Sequence, residues 1–280
     1  MPTTSRPRYA GTPGRFSRNA SSPAELRAPS RLLWLAEYRS LYEFGFSLAL
    51  APLLLTAPKG DGHPVLVLPG FLASDLSTEP LRRYLKALGY DAFGWDNGRN
   101  LGGVSRMRHA LRRRLAALYE RAGRKVSIVG WSLGGIYARM LALDAPEMTR
   151  SVISMGSPFS RDPNASNVTA IYEAVTGEGP SVEEKMERTL FAHAFDRIAG
   201  DLAVPATSIY SKLDGVVNWR ACLLRENERT ENIEVLAASH VGLGVNAAVV
   251  WAVADRLAQP QDQFKPFARG GPFALAYGRP

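Results

Sequence analysis

A tight turn between a predicted strand and a predicted helix constrains this chain more than any other feature. Residues 126–129 are mostly apolar and β-branched, as in a buried strand. The sequence GWSLG follows at residues 130–134, and apolar positions then recur at helical spacing until Pro146 (Ile136, Met140 and Leu143). A strand, Gly-x-Ser-x-Gly and a helix in this order predict a nucleophile elbow with Ser132 at its tip.

Glycines at positions 130 and 134 fit this interpretation, because the chain on both sides of the serine must turn where side chains have little room. Ser132 would then lie at the N-terminus of a helix, whose positive end favours developing negative charge. The alternative is a chance match to a short pattern. A chance match would rarely have a buried strand before it and an amphipathic helix after it, so we predict a nucleophilic serine.

Buried-strand patterns alternate with amphipathic helices from His63 onward. The predicted strands are residues 65–68, 90–95, 126–129, 151–155, 206–210 and 233–237. This alternation predicts an α/β fold with a mainly parallel sheet of about six strands, covered by helices on both faces. Residues 159–204 are too long for a simple connection and contain two plausible helices, 168–175 and 182–198. We predict that they form a small helical lid inserted before the penultimate strand.

The net charge of +8 comes mainly from the two ends of the chain. Residues 1–31 carry six arginines and one glutamate, and residues 259–280 carry three basic residues and one aspartate. We expect a disordered basic tail over 1–31, one α/β domain over 32–258 and a C-terminal tail over 259–280. Charge confined to tails argues only weakly for anionic lipid or nucleic acid, and we expect no nucleic-acid partner.

Residues 32–57 are mostly apolar, with a few interruptions (Glu37, Arg39, Glu43 and Pro52). The part without charged residues, 44–57, is shorter than the ~20 residues that a membrane-spanning helix needs. It also lies too far from the first residue for an ordinary signal peptide. We predict an apolar helix packed on the domain, and the alternative is a segment that enters a membrane interface. The single cysteine, Cys222, is typical of a cytoplasmic protein. If the segment enters a membrane interface, the protein would be peripheral at the membrane.

A serine nucleophile needs a base, and the base needs a carboxylate to orient it. Of the four histidines, His240 follows the last predicted strand and lies late in the chain, unlike the other three (His63, His109 and His193). Asp214 follows the preceding strand, although an Asp-Gly turn would explain it without catalysis. Other acids are less well placed (Asp75, Asp144, Asp196 and Asp201). We predict the order Ser132, Asp214, His240 for nucleophile, acid and base.

The oxyanion hole should use backbone N–H groups, which are rigid and already aimed. We expect one from Leu133, directly after the nucleophile, and one from the loop after the first strand, where Phe71 is the first choice and Leu72 the second. Apolar side chains are expected to bind substrate around this site (Leu72, Trp131 and Phe159, together with Phe71). Such a rim favours an acyl chain over a charged substrate.

Several motifs together resemble the lipase and esterase branch of the α/β-hydrolase superfamily. They are VLVLPGF at 65–71, GWSLGG at 130–135, GSP at 156–158, the Asp-Gly pair and the late His240. The resemblance covers about residues 60–258, and it implies this fold and a Ser-Asp-His triad. The chain departs from many members because no antiparallel strand pair precedes His63. The loop at 95–100 is similar to one in some lipase-like bacterial hydrolases, with no definite role.

The sequence has no zinc-binding spacing, phosphate loop or dinucleotide motif, so we expect neither a metal nor an organic cofactor. The leading hypothesis is hydrolysis of a carboxylic ester with an apolar acyl part, a small molecule or a lipid, which would place the protein in lipid metabolism. The second is an acyltransferase or thioesterase that forms the same acyl-enzyme. The third is a catalytically idle hydrolase fold that serves as a membrane-associated interaction module.

Overall fold

A six-stranded sheet lies at the centre of the computed structural model, which describes residues 26–159, 166 and 197–279. Its strands are β1 (Pro64–Leu68), β2 (Asp91–Phe93), β3 (Val126–Trp131), β4 (Thr149–Met155), β5 (Ala206–Tyr210) and β6 (Thr230–Glu234). They are ordered β2-β1-β3-β4-β5-β6, and every neighbouring pair is parallel. The predicted α/β class and the six-stranded sheet are confirmed.

Helices cover both faces of this sheet. Their bounds are α1 (Arg31–Leu35), α2 (Ser40–Ala49), α3 (Ala51–Leu54), α4 (Asp75–Ala87), α5 (Val104–Ala122), α6 (Leu133–Asp144) and α7 (Ala247–Leu257). Alternate residues of β1 point to opposite faces, as the pleat requires. Val65 and Val67 pack in the core beneath α4 and α7, whereas Leu66 and Leu68 pack in the core beneath α5 and α6. Double coverage explains why all five residues of β1 are buried.

The last strand lies three residues earlier than its apolar pattern predicts, at 230–234 instead of 233–237. β6 is an edge strand, and its polar side chains are paired instead of solvated. Glu231 accepts hydrogen bonds from Arg256 Nη1 at 2.8 Å and from the Phe267 N–H at 2.7 Å. An apolar run therefore does not mark this strand, and the predicted bounds were wrong.

The predicted C-terminal tail packs on the domain through residue 279. Phe267, Phe273 and Tyr277 belong to the core beneath α7. The Leu236 N–H donates to the Ala276 carbonyl at 2.9 Å, and the Gly278 N–H donates to the Glu234 carbonyl at 3.0 Å. These residues therefore extend the domain beyond position 258.

Residues 31–54, called the N-terminal helical segment below, form several short helices where the sequence suggested one. A 3₁₀ turn at Ala36–Arg39 separates α1 from α2, and Pro52 lies in the first turn of α3, the position proline tolerates in a helix. Over the described part of the chain, every helix is too short or too polar to cross a membrane. The predicted tail through residue 25, and 160–165 and 167–196 of the predicted lid, lie outside the described residues.

Candidate active site

Ser132 occupies the single position between β3 and α6. Its backbone has φ +55° and ψ −121°, in the region that favours glycine, and such strain costs about 1–3 kcal/mol. The surrounding structure holds it there, since the Ser132 N–H donates to the Met155 carbonyl at 2.8 Å. The hydroxyl therefore lies at the carboxyl edge of the sheet and at the N-terminus of a twelve-residue helix.

The two glycines of the turn are required by close backbone approach. A Cβ on Gly130 would overlap the backbone of Gly134 and Gly135. A Cβ on Gly134 would overlap the Leu68 carbonyl at the end of β1. Helix α6 thus packs directly against β3 and β1, which fixes the direction in which the chain leaves Ser132.

Asp214 and His240 form a buried pair. His240 Nδ1 lies 2.7 Å from Asp214 Oδ2. The other carboxylate oxygen, Oδ1, accepts hydrogen bonds from the N–H groups of Val216 at 2.8 Å and Val217 at 2.7 Å. These bonds orient the carboxylate, and the carboxylate orients the imidazole so that Nδ1 faces away from the site and Nε2 is available to it.

The Asp–His pair lies at the same sheet edge as Ser132. The indole Nε1 of Trp131 donates to the His240 carbonyl at 3.0 Å. A Cβ on Gly156, the residue after Met155, would lie 3.1 Å from His240 Nδ1 and 3.2 Å from Asp214 Oδ2. Within the described residues, no hydrogen bond joins the Ser132 hydroxyl to the imidazole. Such bonds are often long in free enzymes and tighten when substrate binds.

The environment of His240 favours its protonated form. Burial alone lowers the pKa of the imidazole, but the charge and hydrogen bond of Asp214 and the charge of Glu37 raise it above its ordinary 6.5. Because a general base must be unprotonated, the acidic limb of any activity that depends on His240 is shifted to higher pH.

The loop after β1 is held by Asn100, a residue for which no role was predicted. The Leu72 N–H donates to the Asn100 carbonyl at 2.7 Å, which argues against Leu72, the second choice for the oxyanion donor of this loop, and Phe71, the first choice, stays a prediction. Asn100 Nδ2 donates to the Pro69 carbonyl at 2.9 Å, and the Asn100 N–H donates to the Ala73 carbonyl at 2.8 Å. Asn100 is fully buried, as polar side chains with several hydrogen-bond partners can be, and the sequence carries no signal of this burial.

The predicted apolar rim is smaller than expected. Phe71 and Leu72 are half-buried beside the elbow. The indole of Trp131, a predicted rim residue, donates to the His240 carbonyl and so supports the backbone of His240. Phe159 is only 5% exposed, and its ring packs against the Arg139 guanidinium at 5.2 Å, so it belongs to the core and not to the rim.

A second Asp–His–Ser cluster lies at the opposite, amino end of the strands. His63 Nδ1 is 2.5 Å from Asp61 Oδ1, and His63 Nε2 is 3.0 Å from the Ser127 hydroxyl. Burial lowers the pKa of His63 to about 4, despite the hydrogen bond to Asp61. The ring and the serine are fully buried, and Arg150 and Arg124 pair with Asp61. This cluster is structural because no substrate can reach it.

The remaining acidic candidates have other partners or lie outside the described residues, and His109 is exposed on α5. Asp144 pairs with Arg108, and Asp75 accepts the N–H groups of Trp95 and Asp96. His193 and Asp196 fall outside the described residues. Among the residues that are described, no three metal-ligating side chains (His, Cys, Asp or Glu) gather into a possible metal site.

Comparisons with known proteins agree with this architecture. No family model matches the chain, and no curated protein matches it. A lipase of Bacillus licheniformis, BlEst2 in its mature form, is similar over 73% of this chain and 95% of its own, with 17% identity and a TM-score of 0.55. A structure from a study of LipS and LipT, two metagenome-derived lipolytic enzymes, covers 71% and 93%, with 16% identity and a TM-score of 0.51.

A monoacylglycerol lipase of Paleococcus ferrophilus is similar over 71% of this chain and 96% of its own, with 13% identity and a TM-score of 0.50. At such identities the likeness concerns the fold. The chain therefore has the α/β-hydrolase fold that its sequence motifs predicted.

Proposed function

We propose that this protein is a serine hydrolase that cleaves carboxylic esters with an apolar acyl part. The observation that carries the proposal is the juxtaposition, at one sheet edge, of a serine in a strained turn and a buried Asp214–His240 pair. A strained turn is typical of a nucleophile position, and a carboxylate-oriented imidazole is the kind of base that activates a weak hydroxyl.

In the proposed mechanism Ser132 Oγ attacks the ester carbonyl while His240 Nε2 takes its proton. Asp214 keeps the imidazole in the tautomer with its proton on Nδ1 and stabilises the imidazolium that forms. The N–H groups of Leu133 and Phe71 stabilise the oxyanion. His240 then protonates the leaving alcohol, and water releases the acyl group from Ser132 by the same steps in reverse.

A fluorophosphonate probe and a series of 4-nitrophenyl esters test this proposal. We expect the probe to label the native protein at Ser132, located by peptide mass spectrometry, and acyl esters between C2 and C16 to be hydrolysed. Release of little free acid when an alcohol, thiol or amine acceptor is present would instead indicate an acyltransferase. A folded protein that neither reacts with the probe nor hydrolyses any ester would favour the idle interaction module.

We further propose that the N-terminal helical segment contacts a lipid surface. Its outer face exposes large apolar side chains, of which Tyr42 is 81% and Leu41 73% exposed. This face continues into an apolar groove of about 680 Å³ between α2 and the C-terminal residues, lined in part by Phe46, Ala248 and Phe273. Exposed apolar patches of this kind are unusual on monomeric proteins, and tyrosine and tryptophan suit the membrane interface.

The charge of the preceding residues favours an anionic lipid surface as the partner. Residues 1–31 carry six arginines against one glutamate, directly before the apolar face. A basic segment next to an amphipathic helix combines electrostatic attraction with apolar burial. A substrate with an apolar acyl part would be most abundant at the same surface.

Vesicle flotation tests the lipid contact. The triple variant Tyr38→Ser, Leu41→Ser, Tyr42→Ser should bind anionic vesicles at least about 10-fold more weakly than the native chain, because three exposed apolar groups are lost. The control is Leu76→Ser, which removes a side chain that is 82% exposed on α4, outside this face. Equal binding by the triple variant, or a native dimer that the triple variant converts to monomer, would contradict the proposal.

A further inference from the structure

One buried carboxylate joins the two loops of the candidate Asp–His pair. Glu37, in the 3₁₀ turn of the N-terminal helical segment, is only 9% exposed. Its Oε1 accepts the N–H of Gly215 at 2.7 Å and the N–H of His240 at 3.0 Å. Its Oε2 accepts the N–H of Val241 at 2.8 Å. Gly215, the residue after Asp214, and His240 thus donate their backbone N–H groups to the same oxygen atom.

Two glycines allow the N-terminal helical segment to approach these loops closely. A Cβ on Gly215 would overlap the Leu33 carbonyl and would lie 2.9 Å from Glu37 Oε1. A Cβ on Gly242 would overlap the carboxylate of Glu43. Neither glycine has a positive φ, so each is explained by the close approach of the N-terminal helical segment and not by backbone conformation. The Asp-Gly pair at 214–215 therefore reflects this packing as well as a turn.

We propose that Glu37 is a positioning residue for the reaction, which holds the loop of Asp214 and the loop of His240 in the geometry that the triad needs. This inference rests on the proposed function. It makes the N-terminal helical segment part of the active-site support, although that segment is about 200 residues from His240 along the chain.

The charged groups around His240 determine what a substitution of Glu37 should change. Asp214 faces the ring from the loop after β5, and Glu37 faces its backbone from the N-terminal helical segment. Arg39 and Glu43 also approach from this segment, where their side chains lie 3.6 Å apart and partly neutralise each other. The charge of Glu37 favours the imidazolium, so its removal should lower the pKa of His240.

Glu37→Gln and Glu37→Ala separate the charge of this residue from its hydrogen bonds. Glu37→Gln keeps an acceptor oxygen for two N–H groups but removes the charge, so the imidazole titration of His240, followed by NMR, should move to lower pH. The acidic limb of kcat/KM for ester hydrolysis should move in the same direction. Glu37→Ala removes all three hydrogen bonds and should lower kcat about 10- to 100-fold, with a smaller effect on KM.

Glu43→Gln is the matched control, because Glu43 lies in the same segment but binds Ser239 N–H and the Asn246 side chain instead. Circular dichroism verifies the fold of each variant. If Glu37→Ala does not fold, the result for Glu37→Gln alone tests the inference. The inference is overturned if Glu37→Gln leaves the His240 titration unchanged, or if Glu43→Gln shifts it equally. The NMR titration of His240 does not depend on enzymatic activity. A failure of the proposed function would be seen separately, as a Ser132→Ala variant that still hydrolyses esters.

Discussion

Ser132→Ala is expected to lower kcat for 4-nitrophenyl ester hydrolysis by about 10⁴- to 10⁶-fold, because it removes the only group proposed to form the acyl-enzyme. Residual turnover would come from the oxyanion donors and from substrate binding. The melting temperature should stay within a few degrees of the native value, since the Ser132 hydroxyl makes no hydrogen bond within the described residues. Initial rates and thermal unfolding followed by circular dichroism measure both quantities.

Ser77→Ala is the matched control, since Ser77 lies on α4 and its hydroxyl binds the Ser74 carbonyl at 2.7 Å. This variant should hydrolyse esters and react with a fluorophosphonate at the native rate. If Ser132→Ala kept the native rate, the nucleophile assignment and the proposed mechanism would both be rejected.

Asp214→Asn is expected to lower kcat by about 10⁴-fold while preserving the fold, for a reason that the hydrogen bonds make specific. Asp214 Oδ1 accepts two backbone N–H groups, so the asparagine oxygen must take that position. The asparagine NH₂ then faces His240 Nδ1 and forces this nitrogen to accept a hydrogen bond. The imidazole proton moves to Nε2, the nitrogen that must receive the proton of Ser132, and the base is lost.

The tautomer of His240 can be read by ¹⁵N NMR, which tests the cause directly. We expect the proton on Nδ1 in the native protein and on Nε2 in Asp214→Asn. Asp262→Asn, a substitution on the exposed surface, serves as the control and should change neither kcat nor the tautomer. A native-like rate in Asp214→Asn would mean that another acid orients the base.

The parts of the fold that local patterns encode were predictable. The buried strand, glycine turn and helix around Ser132 fit within about twenty consecutive residues, and each carries its own periodicity. Asp214 and His240 each follow the end of a predicted strand. Because parallel strands run in the same direction, both residues were expected at the carboxyl edge of the sheet.

The parts that depend on distant contacts were not predictable. In the sequence Glu37 only interrupts an apolar run, because its partner His240 lies 203 residues later. Asn100 is an ordinary loop residue in the sequence, and only the structure shows its hydrogen bond to the loop after β1. Phe159 was misassigned because a motif gives proximity along the chain and not the side of the sheet on which a ring packs. The bounds of β6 were misplaced because its polar Glu231 is paired by distant residues, Arg256 and Phe267, so no apolar run marks the strand.

The C-terminal residues that cover β6 have a consequence for how copies of this chain behave in concentrated solution. An uncovered strand edge offers free N–H and C=O groups to the edge of another molecule and promotes fibrous association. Here the Ala276–Gly278 stretch occupies part of that edge, and the opposite edge strand, β2, has only three residues. The sheet therefore offers little template for growth at either side.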